Sequence, residues 1–185
     1  GHLMGMITRS DILREIVAAQ VQAGQDGDEE FHWEARVGEI ALEPAITIAR
    51  DLPLPQIIER MRREGRKRLL VVDAEERLAG ILTEQDVLER AANGDRGIAL
   101  DLLLGHGSTN AAAPSATTAA DLMTAPVIHV STESSVAAAL TLLIDHRIKR
   151  LPVIDEAGHP VGLVGRAALM RALTSAGQAL PAASA

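Results

Sequence analysis

Thr83 and Asp86 stand three residues apart in the stretch Gly80-Ile81-Leu82-Thr83-Glu84-Gln85-Asp86. A short apolar run ends in a hydroxyl, and a carboxylate follows one turn into a helical stretch, so the two groups share one face. That spacing suits a cap: the pair can close the start of a helix, with the acid complementing the positive end of the helix dipole. Spacing alone favours the cap. The setting of the motif shifts the weight, because the surrounding pattern returns elsewhere in the chain.

Other chemistry-bearing residues are sparse. The six histidines, His2, His32, His106, His129, His146 and His159, show no His-Glu-x-x-His or similar ligand spacing. No nucleophile elbow or Walker loop is present. Gly105-His-Gly-Ser108 is glycine-rich, but it follows a helix-like stretch and leads into low complexity, which argues against a phosphate loop. With no cysteine, disulfides, thiolate catalysis and Cys-ligated zinc or iron–sulfur sites are excluded. Net charge is −7 and aromatic residues make up 1%. Neither the counter-charge nor the stacking platforms for a nucleic-acid partner are there. No apolar run approaches the roughly 18 residues of a membrane span. The balance points to a cytoplasmic, non-catalytic chain.

The elements that would position Thr83 and Asp86 emerge from a self-comparison. Shifted by 82 residues, 37–92 aligns with 119–174 without a gap. Pro44 meets Pro126, Lys67-Arg68-Leu69 meets Lys149-Arg150-Leu151, Asp73 meets Asp155, and Gly80 meets Gly162. Each copy reads the same way. A β-like run at Ala45–Ile48 or Val127–Val130 comes first. A helical stripe follows, Leu54, Ile57, Ile58 and Met61 or Val136, Ala139, Leu140 and Leu143. Asp51 and Pro53 suit the start of the first of these helices, and Thr132 or Ser134 the start of the second. The continuous apolar runs Leu69–Val72 and Leu151–Ile154 read as strands covered on both faces. A polar turn, a third strand (Leu78–Leu82 or Val161–Val164) and a closing helix complete a β-α-β-β-α unit. A unit of about 55 residues buries too little surface to be stable alone, so two copies packed through their sheets about a pseudo-twofold axis are expected.

The domain reading is therefore 37–97 and 119–175 for the two complete repeats, with a flexible connector at 98–118 and a tail at 176–185. Residues 19–36 form a lead-in in which Phe31 and Trp33 are expected to pack against the first repeat. Gly5-Met6-Ile7-Thr8-Arg9-Ser10-Asp11 matches Gly80–Asp86 at a shift of 75. Residues 1–18 thus read as the last strand and helix of a further copy, and the chain is expected to begin inside a repeat. Thr8 and Asp11 keep the motif, either as a cap or as part of a site completed by another repeat.

The repeated β-α-β-β-α pattern, the Leu-Val-Val-Asp and Leu-Pro-Val-Ile-Asp strands and the Gly-x-x-Thr-x-x-Asp ending together resemble the CBS domain family, commonly found as tandem pairs called Bateman modules. The fold implied is α/β (α+β). The resemblance further implies a regulatory module that binds adenosine-containing ligands in clefts between repeats: AMP, ADP or ATP, less readily S-adenosylmethionine or NAD. In such modules the motif Asp bonds the ribose hydroxyls and the Thr supports ribose or phosphate, which carries over to Asp86 and Thr83. The adenine would lie near Thr124, Val127 and Ile128, then Ile148 and Pro152. The phosphates would meet Lys149, Arg150 and His129. For Lys149 and Arg150 the alternative is solvated charge at a strand start, and for His129 a surface strand position. The second copy departs from the pattern, because Gly165 and Ala168 replace the hydroxyl and the carboxylate. One competent cleft is expected, built on Thr83 and Asp86. The partners implied are an adenine nucleotide, a second copy in a homodimer and a fused or partner effector, with no nucleic acid and no membrane segment within these residues. Two alternatives stand beside this reading: a structural or dimerisation module without nucleotide, and the regulatory part of a transporter or enzyme whose active part precedes Gly1.

Overall fold

Apolar spacing decides the elements. The computed structural model of the protein describes residues 35–90 and 117–174, together with Glu15. The expected repeat remnant at 1–18 with Thr8 and Asp11, the lead-in residues Phe31 and Trp33, the bulk of the connector and the tail lie outside the described residues. So do His2, His32 and His106.

The fold is mixed α/β, with two three-stranded sheets and helices. The first repeat contributes β1 (Thr47–Ala49), α1 (Leu54–Glu64), β2 (Arg68–Val72), β3 (Leu78–Thr83) and α2 (Glu84–Arg90). A short helix α3 (Ala119–Leu122) opens the second repeat. It is followed by β4 (Val130–Ser131), α4 (Val136–Asp145), β5 (Arg150–Ile154), β6 (Pro160–Gly165) and α5 (Arg166–Thr174). The strand orders are β1-β2-β3 and β4-β5-β6. In the first sheet β1 runs parallel to β2, with Ile48 opposite Val71, and β2 runs antiparallel to β3, with Leu69 opposite Leu82. Both helical stripes are buried as their periodicity predicts, Leu54, Ile57, Ile58 and Met61 in α1 and Val136, Ala139, Leu140 and Leu143 in α4. The central strands β2 and β5 are buried through their middles, as their unbroken apolar runs predict.

Several boundaries differ from the sequence expectation, each for a local reason. Strand pairing sets in at Thr47 and Val130, later than Ala45 and Val127. In the second copy the imidazole Nδ1 of His129 donates to the Val127 carbonyl at 2.9 Å, using an acceptor that a strand ladder would need. Helix α4 is capped by Ser135, whose hydroxyl accepts from the Ala138 N–H at 3.2 Å, rather than by Thr132 or Ser134. The Ser134 hydroxyl is turned back to the Ser131 N–H at 3.1 Å. Helix α1 begins after Pro53 without a side-chain cap, and Asp51 plays no capping part. Its first N–H, on Leu54, donates to the Thr117 carbonyl at 3.0 Å. At its other end Gly65 adopts φ 59, the left-handed turn that lets its N–H reach back to the last carbonyls of the helix.

The chain divides into two compact units, and neither coincides with one repeat. The first unit gathers α1, the β1-β2-β3 sheet and α2 around Ile48, Ile57, Leu69, Val71, Leu82 and Val87, and the core also takes in Ala119 and Leu122 of α3. The opening segment of the second repeat therefore packs on the first repeat, with Ala119 and Ala120 donating to the carbonyls of Leu52 and Arg50 at 2.9 and 2.8 Å. The second unit mirrors this exchange. Residues 35–43 pack on the second repeat, where the N–H groups of Val37 and Gly38 donate to the carbonyls of Ser134 and Thr132 at 2.9 and 2.8 Å. Val37 is fully buried there, in a unit whose buried residues include Val136, Leu140, Leu151, Val153 and Val164.

Candidate functional site

The motif sits at the strand-to-helix junction of the first unit. Thr83 is the last residue of β3 and Asp86 lies in the first turn of α2. The Asp86 carboxylate is clamped. Its Oδ2 accepts from the Thr83 N–H at 2.9 Å and from the Thr83 hydroxyl at 2.6 Å, while the Asp86 N–H donates to Thr83 Oγ1 at 3.2 Å. This is a reciprocal helix cap. The cap chemistry read from the spacing is therefore real, and Asp86 is fixed in orientation by it.

A third residue completes the junction. The Thr124 hydroxyl donates to the other carboxylate oxygen, Asp86 Oδ1, at 3.2 Å. Thr124 is held in register by a two-way backbone bridge to Ile81, at 3.1 and 2.8 Å. That close approach needs Gly80. A Cβ on Gly80 would lie 2.3 Å from the Met123 sulfur and 2.9 Å from the Met123 Cβ. The glycine of the motif thus serves the seating of the segment that delivers Thr124, not a turn. Thr83 and Asp86 are half-buried, and Thr124 is exposed. Beside them the Glu84 N–H donates to the Lys67 carbonyl at 3.2 Å, and the Lys67 ammonium lies 3.4 Å from the Glu84 carboxylate.

A second Thr-x-x-Asp in the same unit provides an internal reference. At Thr118–Asp121 the carboxylate Oδ2 accepts from the Thr118 N–H and hydroxyl, each at 2.8 Å. The Thr118 N–H, ahead of its hydroxyl, holds the Asp121 carboxyl below its ordinary value. The cap geometry alone is therefore not diagnostic. What sets Asp86 apart is the second hydroxyl, from Thr124, on its remaining oxygen.

The other residues expected at the site fall as follows. Val127 and Ile128 are half-buried and His129 is exposed, all in the irregular segment that leads from Thr124 to β4. Ile148, Lys149, Arg150 and Pro152 belong to the other unit, on the approach to β5 and along it. Lys149 is exposed, Ile148 and Arg150 are half-buried, and Pro152 is buried within the strand.

The corresponding junction of the second repeat, between β6 and α5, carries Gly165 and Ala168 in place of the threonine and the aspartate. It is not bare of charge. Glu43 bridges Leu163 through two backbone hydrogen bonds of 2.8 and 2.9 Å, and its carboxylate accepts from Arg150 Nε at 2.7 Å. Its other oxygen lies 3.9 Å from where a Gly165 Cβ would stand. Sequence reasoning missed this pair. The signal was the mismatch of Glu43 with Ala125 at the 82-residue shift, but nothing in the sequence joins Glu43 to a residue 107 positions away.

Comparison with known proteins decides the family. The CBS domain family model matches residues 37–93 and 119–175. The chain belongs to the CBS domain family. Among its relatives is a protein of Methanopyrus kandleri, 28% identical over 128 residues, which is 69% of this chain and 57% of that protein. The chain thus spans little more than half the length of this relative. The solved CBS domain of a CBS domain containing membrane protein from Sphaerobacter thermophilus is 27% identical, with a TM-score of 0.56, covering 88% of this chain and 94% of that one. The crystal structure of CBSX2 in complex with AMP shares the fold at 23% identity and a TM-score of 0.55, over 74% of this chain and 94% of that one. The family match is to a CBS module and indicates no catalytic family.

Proposed function

We propose that the chain is a non-catalytic regulatory module that senses an adenine nucleotide and passes a conformational change to a partner or fused domain. The observation that carries this reading is the Asp86 carboxylate, held by Thr83 on one oxygen and met by Thr124 on the other. A carboxylate fixed in this way is oriented before any ligand arrives, which lowers the ordering cost of binding. Ribose hydroxyls would take over the oxygen that the exposed Thr124 hydroxyl now reaches, with Thr124 turning to the ligand. The AMP complex of a structural neighbour supports the choice of ligand class. AMP, ADP and ATP rank first, ahead of S-adenosylmethionine and NAD.

The proposed set comprises Thr83 and Asp86 for the ribose, with Thr124, Val127, Ile128, Ile148 and Pro152 for the adenine. Lys149, Arg150 and His129 are assigned to the phosphates. The proposal also includes one competent site per chain, a homodimer formed through the CBS modules and a cytoplasmic location. The absence of cysteine is consistent with that location. Among the described residues no helix is long and apolar enough to cross a membrane.

A thermal-shift panel of AMP, ADP, ATP, S-adenosylmethionine and NAD tests the reading. A ligand at 100 times its Kd adds about 2.7 kcal/mol of stability, a rise of several degrees in Tm. A flat response across the panel would favour a second reading, a structural or dimerisation module. That reading draws on the Thr118–Asp121 cap, which reproduces most of the Thr83–Asp86 geometry. The membrane-protein origin of the Sphaerobacter neighbour adds the regulatory part of a larger membrane protein to the candidates for context.

A further inference from the structure

The Glu43–Arg150 pair has no part in the reading above, although Arg150 does. The carboxylate is not there by default. The equivalent of Glu43 in the other repeat is Ala125, while the equivalent of Arg150 is Arg68, so the cation recurs and its carboxylate partner does not. Glu43 is also placed firmly, since its backbone is tied to Leu163 in both directions. A Cβ on Gly165 would stand in ordinary contact with the pair, 3.5 Å from the Arg150 Cγ and 3.9 Å from the Glu43 Oε1, so the pair lies directly beside this junction. The bond from Arg150 Nε to Glu43 Oε2 is 2.7 Å, short enough to be charge-assisted. The side chains remain 37% and 43% exposed, so water screens the pair and an anion from solution can reach it.

We propose that Glu43 is a specificity-determining residue that competes with the phosphate of a bound nucleotide for the Arg150 guanidinium. The inference rests on the assignment of Arg150 to the ligand phosphate. A phosphate oxygen can use the Arg150 Nε edge only by displacing or sharing the Glu43 carboxylate, and wherever it meets the guanidinium it feels that carboxylate's negative charge. Adenosine, with no phosphate, meets neither obstacle. Glu43 therefore lowers the affinity for phosphorylated ligands selectively, and it leaves the nucleoside affinity alone. Its effect shrinks as salt screens both interactions.

Isothermal titration of the chain with adenosine, AMP and ATP tests this in the wild type, Glu43→Gln, Arg150→Gln and the double variant. Glutamine keeps the size and an acceptor oxygen while removing the charge. Glu43→Ala serves as the second variant if Glu43→Gln perturbs folding. The expected result is a threefold to tenfold tightening of AMP and ATP in Glu43→Gln, in line with the modest strength of an exposed pair. Adenosine should stay within about twofold of the wild type, and the tightening should vanish in the Arg150→Gln background. Unchanged or weaker phosphate binding by Glu43→Gln, with nucleotide still bound by the wild type, would overturn the inference and leave the proposed function standing. Equal tightening of adenosine would overturn it, and so would a tightening that persists undiminished without Arg150. No binding of any of the three by either the wild type or Glu43→Gln would overturn both the inference and the nucleotide reading.

Discussion

The two strand-to-helix junctions of this chain are related by one sequence repeat, and each presents a carboxylate, but the two carboxylates come from different places. At the β3–α2 junction the acid is Asp86, on the helix itself, clamped by the Thr83 cap and reached by Thr124. At the β6–α5 junction the helix contributes Ala168. The acid there is Glu43, from the lead-in segment, and it is paired with Arg150. A carboxylate held by hydroxyl and amide donors is fixed by neutral groups, whereas one beside a guanidinium has its charge offset by a cation that a ligand must share. Duplication preserved the scaffold and let the chemistry of the two junctions diverge.

The largest effect that would break the comparison comes from the seat of Thr124. Gly80→Val forces side-chain atoms into Met123. It should destabilise the chain by about 1–3 kcal/mol, as overpacking does, and should weaken nucleotide binding as well. Chemical denaturation and a binding titration on the same variant check both. A wild-type midpoint would show that Thr124 does not depend on this contact.

A smaller and opposite pair of effects tests the equivalence of the scaffolds. Gly65, after α1, has φ 59, and its repeat equivalent Arg147, after α4, has φ 53. No atom lies within 4 Å of a Cβ on Gly65, so Gly65→Ala suffers only the backbone penalty. It should lose about 1 kcal/mol, while Arg147→Gly should gain a few tenths to about 1 kcal/mol. Equal signs in thermal melts would mean that the two turns are not equivalent.

The smallest effect is in acid. Asp73 is held below its ordinary value of 3.8 chiefly by the Arg77 N–H, Asp121 by the Thr118 N–H and Asp155 by the His159 N–H. A lowered native value means that the unfolded chain binds these protons first. Their contribution is therefore complete above the ordinary value and is lost as pH falls through the native values. Melting temperature should decline below about pH 4, the ordinary aspartate range. Asp73→Asn together with Asp155→Asn should flatten that decline.

Much of the scaffold was legible because burial follows periodicity. The stripes of α1 and α4 and the unbroken runs of β2 and β5 are buried where their spacing puts them. The match of Asp73 with Asp155 has a local cause too. Each carboxylate accepts two N–H bonds in its own hairpin turn, from Glu75 and Arg77 or from Ala157 and His159. Caps were less legible, because Thr132, Ser134 and Ser135 all offer a hydroxyl and only the backbone path decides which one faces the first turn. The exchange of opening segments could not be read at all. Repeat similarity tells which segment resembles which, but it does not tell whose core Val37 or Leu122 will join. Thr83 and Asp86 were legible as a pair. The role of Gly80 against Met123 and the Glu43–Arg150 bond depend on long-range packing that no local pattern encodes.

The account stands or falls on the asymmetry between the two junctions. Isothermal titration of AMP into the wild type, Asp86→Asn and Ala168→Asn measures it most directly. Asparagine at 86 keeps an acceptor toward Thr83 and removes the charge. The account predicts one AMP per chain, an affinity loss of at least about tenfold in Asp86→Asn from the lost charge-assisted bonds, and no change in Ala168→Asn. Two AMP per chain, or an Asp86→Asn titration indistinguishable from the wild type, would contradict it.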